Sequence, residues 1–366
     1  MVKKKMTVTD IKHLIKRANF RLEDEDFTAA RADYEVILAQ DDKISEALVG
    51  LGDCCFGLGE YEASEDAYRR LLLETPSDPD ALFGLAAVLR VTECYEEAIS
   101  LYERGFDEEP ERTEAFWELA YSREMSGDKD GAKRAYKSCL AHHPDHGMAA
   151  HLLAAMTGTK TERAPADYIR DLFDDYAESF ETSLVQKLEY RTPRIIADLI
   201  IKASDQSSLG SVIDLGCGTG LLGEQIEKHC ENLEGIDISG KMLEKAQDKN
   251  IYRKLIKQDI IEYISNTDLA FDFFIAVDVF VYMGDLSEIF RLIKHRNRNE
   301  GKLVFSTEHF PGEGYFLEKT GRYSHSENYI KSLCLEFGYV ITHFKIQDIR
   351  KDEGRNIRGG IYILEF

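Results

Sequence analysis

Between Val212 and Gly220 the chain reads Val-Ile-Asp-Leu-Gly-Cys-Gly-Thr-Gly, an apolar run, an acid and alternating glycines, and Leu221-Leu222 follow. This predicts a strand, a glycine loop and a helix start, which together offer backbone N–H groups to a nucleoside. The acid selects among nucleosides. Asp214 would repel a pyrophosphate but would attract an amino group and a sulfonium cation. Gly218-Thr-Gly220-Leu-Leu-Gly223 also satisfies the Gly-x-Gly-x-x-Gly spacing of dinucleotide sites, a spacing that discriminates poorly by itself.

Acids recur where the following strands should end: Asp237 after Leu233-Glu-Gly-Ile, Asp259 after Lys257-Gln258, and Asp278 after Phe271-Asp-Phe-Phe-Ile-Ala-Val. Ligands of open α/β sheets bind beyond the carboxyl ends of the strands. Four acids at consecutive ends therefore predict one nucleoside site, with Asp237 accepting from vicinal ribose hydroxyls. Strands are expected at 211–215, 232–236, 252–257, 271–277 and 301–307, with helices at about 220–230, 239–249 and 285–296. Ser239 is a predicted N-cap, and Asp285-Leu-Ser-Glu288 and Ser324-His-Ser-Glu327 read as helix starts. A last helix ends at Gly338, and two strands, about 339–349 and 357–365, flank Lys351-Asp-Glu-Gly354. Ahead of the sheet, Tyr168 to Lys187 carries Ile169, Leu172, Phe173, Tyr176, Phe180 and Leu184 at helical spacing.

Residues 167–366 resemble a bacterial class I S-adenosylmethionine-dependent methyltransferase. The glycine loop, the four acids and the terminal strand pair carry the resemblance, along with Phe173-Asp-Asp-Tyr176-Ala-Glu-Ser-Phe180 and Phe316-Leu-Glu-Lys-Thr-Gly-Arg322-Tyr323-Ser-His325-Ser. It implies S-adenosylmethionine as cofactor, cradled by Asp214, Gly216, Cys217, Gly218, Gly220 and Asp237. Asp259 and Ile260 would meet the adenine, Ile238 and Met242 its ring faces, and Tyr176 and Phe180 the methionine end. Asp278 would face the transferring methyl group, so it is a catalytic candidate with Tyr282, His309 and His325. Glu308, Arg322 and Tyr323 fall on the same acceptor side. Asp278-Val-Phe-Val stands where amino-group DNA methyltransferases carry Asn-Pro-Pro-Tyr, which argues against that class.

The first half repeats every 34 residues. Tyr34, Tyr68, Tyr102 and Tyr136 form one column; Ala30, Ser64, Ala98 and Ala132 a second; Ala18, Gly52, Ala86 and Ala120 a third; and Asp42, Pro76, Pro110 and Pro144 close the units. Small residues at two fixed positions let paired helices approach, and an aromatic knob fills the gap beside them. The pattern is similar to the tetratricopeptide repeat. Four units at about 11–44, 45–78, 79–112 and 113–146 and a capping helix from His146 to Met156 make a repeat domain over 1–157, with 158–166 as linker. The whole chain resembles predicted bacterial methyltransferases that carry such repeats, an all-helical solenoid followed by a Rossmann-like domain. Solenoids of this kind bind peptides on a concave face, here expected to carry Leu14, Leu48, Leu82, Phe116, Arg21, Cys55, Leu89 and Arg123.

The net charge is −21, of which −13 lies in residues 1–157. Neither half has the basic footprint of a nucleic-acid binder. Seven cysteines without Cys-x-x-Cys spacing predict reduced thiols and no metal site. With no apolar run of membrane-spanning length and no signal-like start, the expected location is the cytoplasm. The leading expectation is a methyltransferase whose repeats recruit or position a protein. Three alternatives stay open: a small-molecule acceptor with the repeats used for assembly, a non-catalytic cofactor-binding scaffold, and an NAD-dependent oxidoreductase. Sequence alone does not set the oligomeric state.

Overall fold

A computed structural model describes residues 6–177, 180–181, 190–204, 208–352 and 355–366. It divides into two compact units, Met1–Ala149 and Ala150–Phe366. Leu184, the end of the expected helix to Lys187 and the turn at 353–354 lie outside the described residues.

The first unit is four helix–turn–helix pairs: α1 (Val8–Glu23) with α2 (Phe27–Leu38), α3 (Ser45–Gly57) with α4 (Tyr61–Glu74), α5 (Pro79–Val91) with α6 (Tyr95–Glu108), and α7 (Phe116–Met125) with α8 (Lys129–His142). Asp26, Asp78 and Asp128 cap α2, α5 and α8 by accepting from backbone N–H groups. The tyrosine column is fully buried. Tyr68 shows why its neighbours are small: a Cβ on Gly52 or Gly84 would lie 2.6 or 2.4 Å from its ring. Each tyrosine hydroxyl donates to a side chain near the end of its reach: Tyr34 to Asn19, Tyr68 to Asp53, Tyr102 to Glu118 and Tyr136 to Glu124. Of the expected groove-lining set, Leu48, Leu82, Cys55 and Leu89 are corrected, since they are buried. Leu14, Arg21, Phe116 and Arg123 keep partial exposure, with Arg21 paired to Asp33, Arg123 to Glu103 and Phe116 stacked on Phe106. The i, i+7 spacing chosen for the concave face coincides with the packing face of the first helices.

The boundary between the units falls inside α9 (Gly147–Thr157). The second unit holds α10 (Ala166–Tyr176), α11 (Thr192–Ala203) and a sheet of β1 (Ser211–Leu215), β2 (Asn232–Asp237), β3 (Lys254–Lys257), β4 (Phe273–Ala276), β5 (Lys302–His309), β6 (Tyr315–Leu317), β7 (Tyr323–His325), β8 (Val340–Asp352) and β9 (Arg355–Glu365). The crossover elements are α12 (Gly223–Ile226), α13 (Gly240–Asp248), α14 (Ile260–Asn266), α15 (Ser287–Arg296) and α16 (Glu327–Phe337). The parallel order is β3-β2-β1-β4-β5, and β9 joins β5 antiparallel and carries β8 on its outer edge. Alternate residues feed two cores, as the strand period requires. Leu215, Phe274, Phe305 and Tyr362 pack with α14, α15 and α16, while Val212, Ile275, Val304 and Ile361 pack with α11 and α12.

Three local expectations change. The helix after the glycine loop is only α12, followed by a 3-10 turn at Glu227–His229. The last helix is capped by Ser326, not Ser324, because Tyr323–His325 is drawn into β7 between β5 and β6. Helix α15 has no side-chain cap; Asp285 instead accepts from Ser287 N and the Tyr329 hydroxyl. Glu308 pairs with both Gly359 of β9 and Ser324 of β7. Those partners must flank it on opposite sides, so the β6–β7 hairpin continues the sheet on the β4 side, beyond the carboxyl end of β4. The expected linker is also tied down: Glu162 O accepts from Gly284 N and Asp285 N, and Ala164 N donates to Tyr282 O.

Candidate functional site

A cavity of about 380 Å³ opens beyond the carboxyl ends of β1, β2 and β4. The glycine loop forms one side of it. Gly216, at φ +71°, has no room for a side chain, since a Cβ would lie 2.4 Å from Val279 Cγ2. Gly218, at φ +53°, would present its Cβ only to Phe180, 3.8 Å away across the cavity. Gly220 also needs positive φ (+88°) but packs on the Tyr252 ring and does not line the cavity. Asp237 anchors the loop: Oδ2 accepts from Gly218 N at 2.8 Å and Oδ1 from Ser239 N at 2.9 Å. Burial pushes its carboxyl up to about 6 in spite of these bonds.

Asp278 occupies a strained position, a non-glycine residue at φ +57°. Its Oδ1 accepts from Ser306 Oγ at 2.6 Å, and its buried Oδ2 has no hydrogen-bond partner among the described residues. Opposite stands an aromatic and apolar wall from α10, with Tyr168, Phe173, Tyr176 and Leu172. Tyr176 meets Phe180 edge-on at 5.4 Å, and Phe173 meets Tyr282 edge-on at 5.5 Å. Asp174 fixes this helix over the site by accepting from Ser239 Oγ and Lys241 N. Tyr190, Tyr282, Arg322 and Arg350 also line the cavity.

Of the residues singled out in the sequence, Gly216, Gly218, Asp237, Ile238, Asp259, Ile260, Asp278, Tyr176, Phe180 and Tyr282 all line this one cavity. Asp214 does not. It is buried, accepts from the Tyr252 hydroxyl at 2.7 Å, and has its carboxyl pushed up to about 7 by burial. With Cys217 it lines a smaller adjoining pocket of about 50 Å³ that shares Gly216, Gly218, Phe180 and Tyr190. Burial holds the Cys217 thiol protonated. Asp259 caps α14 through Oδ1 and pairs with Arg163 through Oδ2 at 2.9 Å. Met242 is wholly buried beneath the site, since the Ser239 cap turns α13 so that it faces the core.

Both histidines are corrected. His325 is completely buried, shares a hydrogen bond with Gly284 O at 3.1 Å and stacks on Tyr329. Burial lowers its pKa to about 4, so it is a neutral core residue. His309 stands at the end of β5 and does not line the cavity. Three contributors escaped the sequence. Tyr190 lies in a stretch without periodicity, Ser306 is one residue within an apolar strand, and Arg350 sits in a charged strand end. None of these positions has a local pattern that distinguishes it.

The arrangement suits a nucleoside that carries positive charge. The glycine loop offers bare backbone beside the buried carboxylate of Asp237, and the two arginines that line the cavity are both bound to Glu308. Among the described residues no cluster of three or more His, Cys, Asp or Glu could hold a metal ion, and no helix is long and apolar enough to cross a membrane.

Strand order, the antiparallel last strand and a carboxylate-and-glycine crevice together define the class I methyltransferase architecture. Residues 213–305 match the family model of a methyltransferase domain, and residues 15–81, 56–110 and 114–146 match tetratricopeptide repeat models. The chain thus combines tetratricopeptide repeats with a methyltransferase domain. Nodulation protein S of Rhizobium tropici is 22% identical over 96 residues, 25% of this chain and 40% of that relative. The chain therefore spans well under half the length of that curated protein. Among solved structures, magnesium protoporphyrin IX methyltransferase from Synechocystis with bound S-adenosylhomocysteine is 18% identical, covering 55% of this chain and 98% of that one with a TM-score of 0.43. An S-adenosylmethionine-dependent methyltransferase from Clostridium acetobutylicum is 18% identical over 53% of this chain and 99% of its own, with a TM-score of 0.41.

Proposed function

We propose that the protein transfers a methyl group from S-adenosylmethionine to an acceptor bound between the α10 wall and the Tyr282–Arg322 end of the cavity. The observation that carries this reading is Asp237, a buried carboxylate that holds Gly218 against the cavity. Asp237 would receive the ribose hydroxyls, Ile238 and Ile260 the base, and Tyr176 with Phe180 the methionine end. When bound, the cofactor supplies an electrophilic methyl group on a sulfonium.

The chain's own residues then have two tasks. Phe173, Tyr176, Phe180 and Tyr282 exclude water and align the acceptor, and such alignment supplies ~7–11 kcal/mol in well-oriented reactions. Asp278, whose carboxylate is held by Ser306 and faces the Tyr190 hydroxyl, is the group placed to accept a proton where the acceptor needs to lose one. No histidine lines the cavity among the described residues.

The test is calorimetric titration with S-adenosylhomocysteine and, in parallel, NAD. Binding of the first alone is expected; binding of NAD alone, or of neither, overturns the reading. We further assign the repeat array the role of recruiting a protein. Removing it should spare S-adenosylhomocysteine affinity but lower turnover on the natural acceptor, and full turnover would reduce the array to assembly.

A further inference from the structure

We propose that the Arg322–Arg350 end of the cavity is a subsite for the carboxylate of an acceptor that has an apolar body. The inference rests on the methyl-transfer reading above for the term acceptor, but not for the anion site itself. Both guanidiniums converge on a single oxygen. Arg322 Nε donates to Glu308 Oε1 at 2.8 Å, and Arg350 Nη2 donates to the same atom at 2.6 Å. The Arg350 side chain is only 6% exposed, and its Nη1 is buried with no hydrogen-bond partner. A buried cation with an unmade bond is costly, so its retention beside a cavity calls for a ligand that completes it.

The two guanidiniums face two carboxylates: Glu308, which both of them bind, and Asp278, whose charge acts on Arg322. A planar guanidinium fork matches a carboxylate, and the hydrogen bond that Arg350 Nη1 leaves unmade is the one a ligand carboxylate would complete. The rest of the surround is apolar: Ile169, Leu172, Phe173 and Met283 line the cavity.

The parts that build this end take no share in the glycine-loop cradle. Arg322 comes from the β6–β7 insertion. Arg350 comes from β8, where the register with β9 shifts between Asp348 and Arg350. A bulge re-aims side chains, and here Ile349 and Arg350, though consecutive, are both buried.

The full-length protein is titrated calorimetrically with octanoate, with and without saturating S-adenosylhomocysteine, against octanamide and inorganic phosphate. Octanoate is expected to bind and octanamide not to. Arg350→Gln should weaken octanoate by about tenfold or more while S-adenosylhomocysteine stays within about twofold. Glu308→Gln, which removes the shared counter-charge, should tighten octanoate; it carries the test if the arginine variant fails to fold by circular dichroism.

Octanamide binding as well as octanoate, or phosphate binding in place of octanoate, overturns the proposal. So does an Arg350→Gln variant that loses S-adenosylhomocysteine but keeps 5′-methylthioadenosine, since the arginines would then hold the nucleoside's own carboxylate. Octanoate failing on protein that binds S-adenosylhomocysteine sinks the subsite and leaves the cofactor reading intact. Failure of S-adenosylhomocysteine sinks the cofactor reading, and the octanoate titration still decides the subsite.

Discussion

Ser306 Oγ donates to Asp278 Oδ1 at 2.6 Å and accepts from the Asp278 backbone N–H at 2.7 Å. This closed pair links the turn after β4 to the middle of β5 and holds Asp278 at φ +57°, a conformation costly for a side chain other than glycine. Ser306→Ala removes both bonds, and Asp278 should relax away from the cavity. We expect S-adenosylhomocysteine affinity to fall by about 1–3 kcal/mol, read by calorimetry on protein with unchanged circular dichroism. Unaltered affinity would mean that the strained turn plays no part in binding.

The glycine loop gives a stricter test. A Cβ at Gly216 meets Val279 Cγ2 at 2.4 Å, in a backbone region that alanine avoids. Gly216→Ala should lower Tm and abolish cofactor binding. The double variant Gly216→Ala, Val279→Ala should recover part of the stability by removing the clash but not the backbone strain. Equal Tm for single and double variants would place the cost wholly in φ.

How much of this could be read beforehand follows from the range of each interaction. The strands, the glycine loop and the acids at their ends are local patterns, and the repeats are a pattern copied at a fixed period, so both were legible. What failed depended on partners far along the chain. His325 looks reactive in sequence, yet three-strand pairing buries it beside Tyr329. Asp214 looks like the leading carboxylate until Tyr252, on the approach to β3, is seen to claim it. Arg350 becomes a site residue only through a bulge, and a bulge leaves no mark in composition or period. Leu48, Leu82, Cys55 and Leu89 of the groove columns failed for a different reason: a helix has several apolar rows, and period alone does not say which one faces its neighbour.

Two raised carboxyls predict a pH dependence whose sign can be worked out. Burial lifts Asp214 to about 7 and Asp237 to about 6, both above the 3.8 of an exposed aspartate. Over the interval from about 4 to 7 these two carboxyls therefore hold more protons in the folded protein than in the unfolded chain, and the stability they contribute falls as pH rises through it. The buried His325, lowered to about 4, acts in the opposite sense below about 6.5. The carboxyl contribution is read as a difference: the Tm of the wild type minus that of Asp214→Asn should fall as pH rises across this window and level off above it. Ribose hydroxyls and a cationic nucleoside both favour ionised acids. S-adenosylmethionine should therefore bind more tightly at pH 8 than at pH 5.5 and release protons near pH 6, seen as a calorimetric enthalpy that varies with the buffer. A buffer-independent enthalpy there would mean that neither acid meets the ligand.

The last prediction concerns where the methyltransferase unit begins. The repeat pattern assigns α9 to the array, yet its second half is integral to the other unit. His151 is 2% exposed, bonds with Gly321 O at 2.8 Å and packs on Tyr168 and Tyr323 at 5.5 and 5.9 Å between centroids. Ala154 and Ala155 share a core with Val281, Tyr282, Leu317 and Tyr323. That core backs both α10 and the Tyr282 side of the cavity. A fragment of residues 147–366 should therefore melt well above one of residues 158–366. Loss of Leu152 alone, at about 1.5–3 kcal/mol of burial, corresponds to roughly 3–12 °C in a domain of this size. The shorter fragment should also bind S-adenosylhomocysteine more weakly, because Tyr168 and Tyr282 lose their support from behind. If both fragments melt together and bind alike, the segment from Ala150 to Thr157 belongs with the repeats, as the sequence pattern has it.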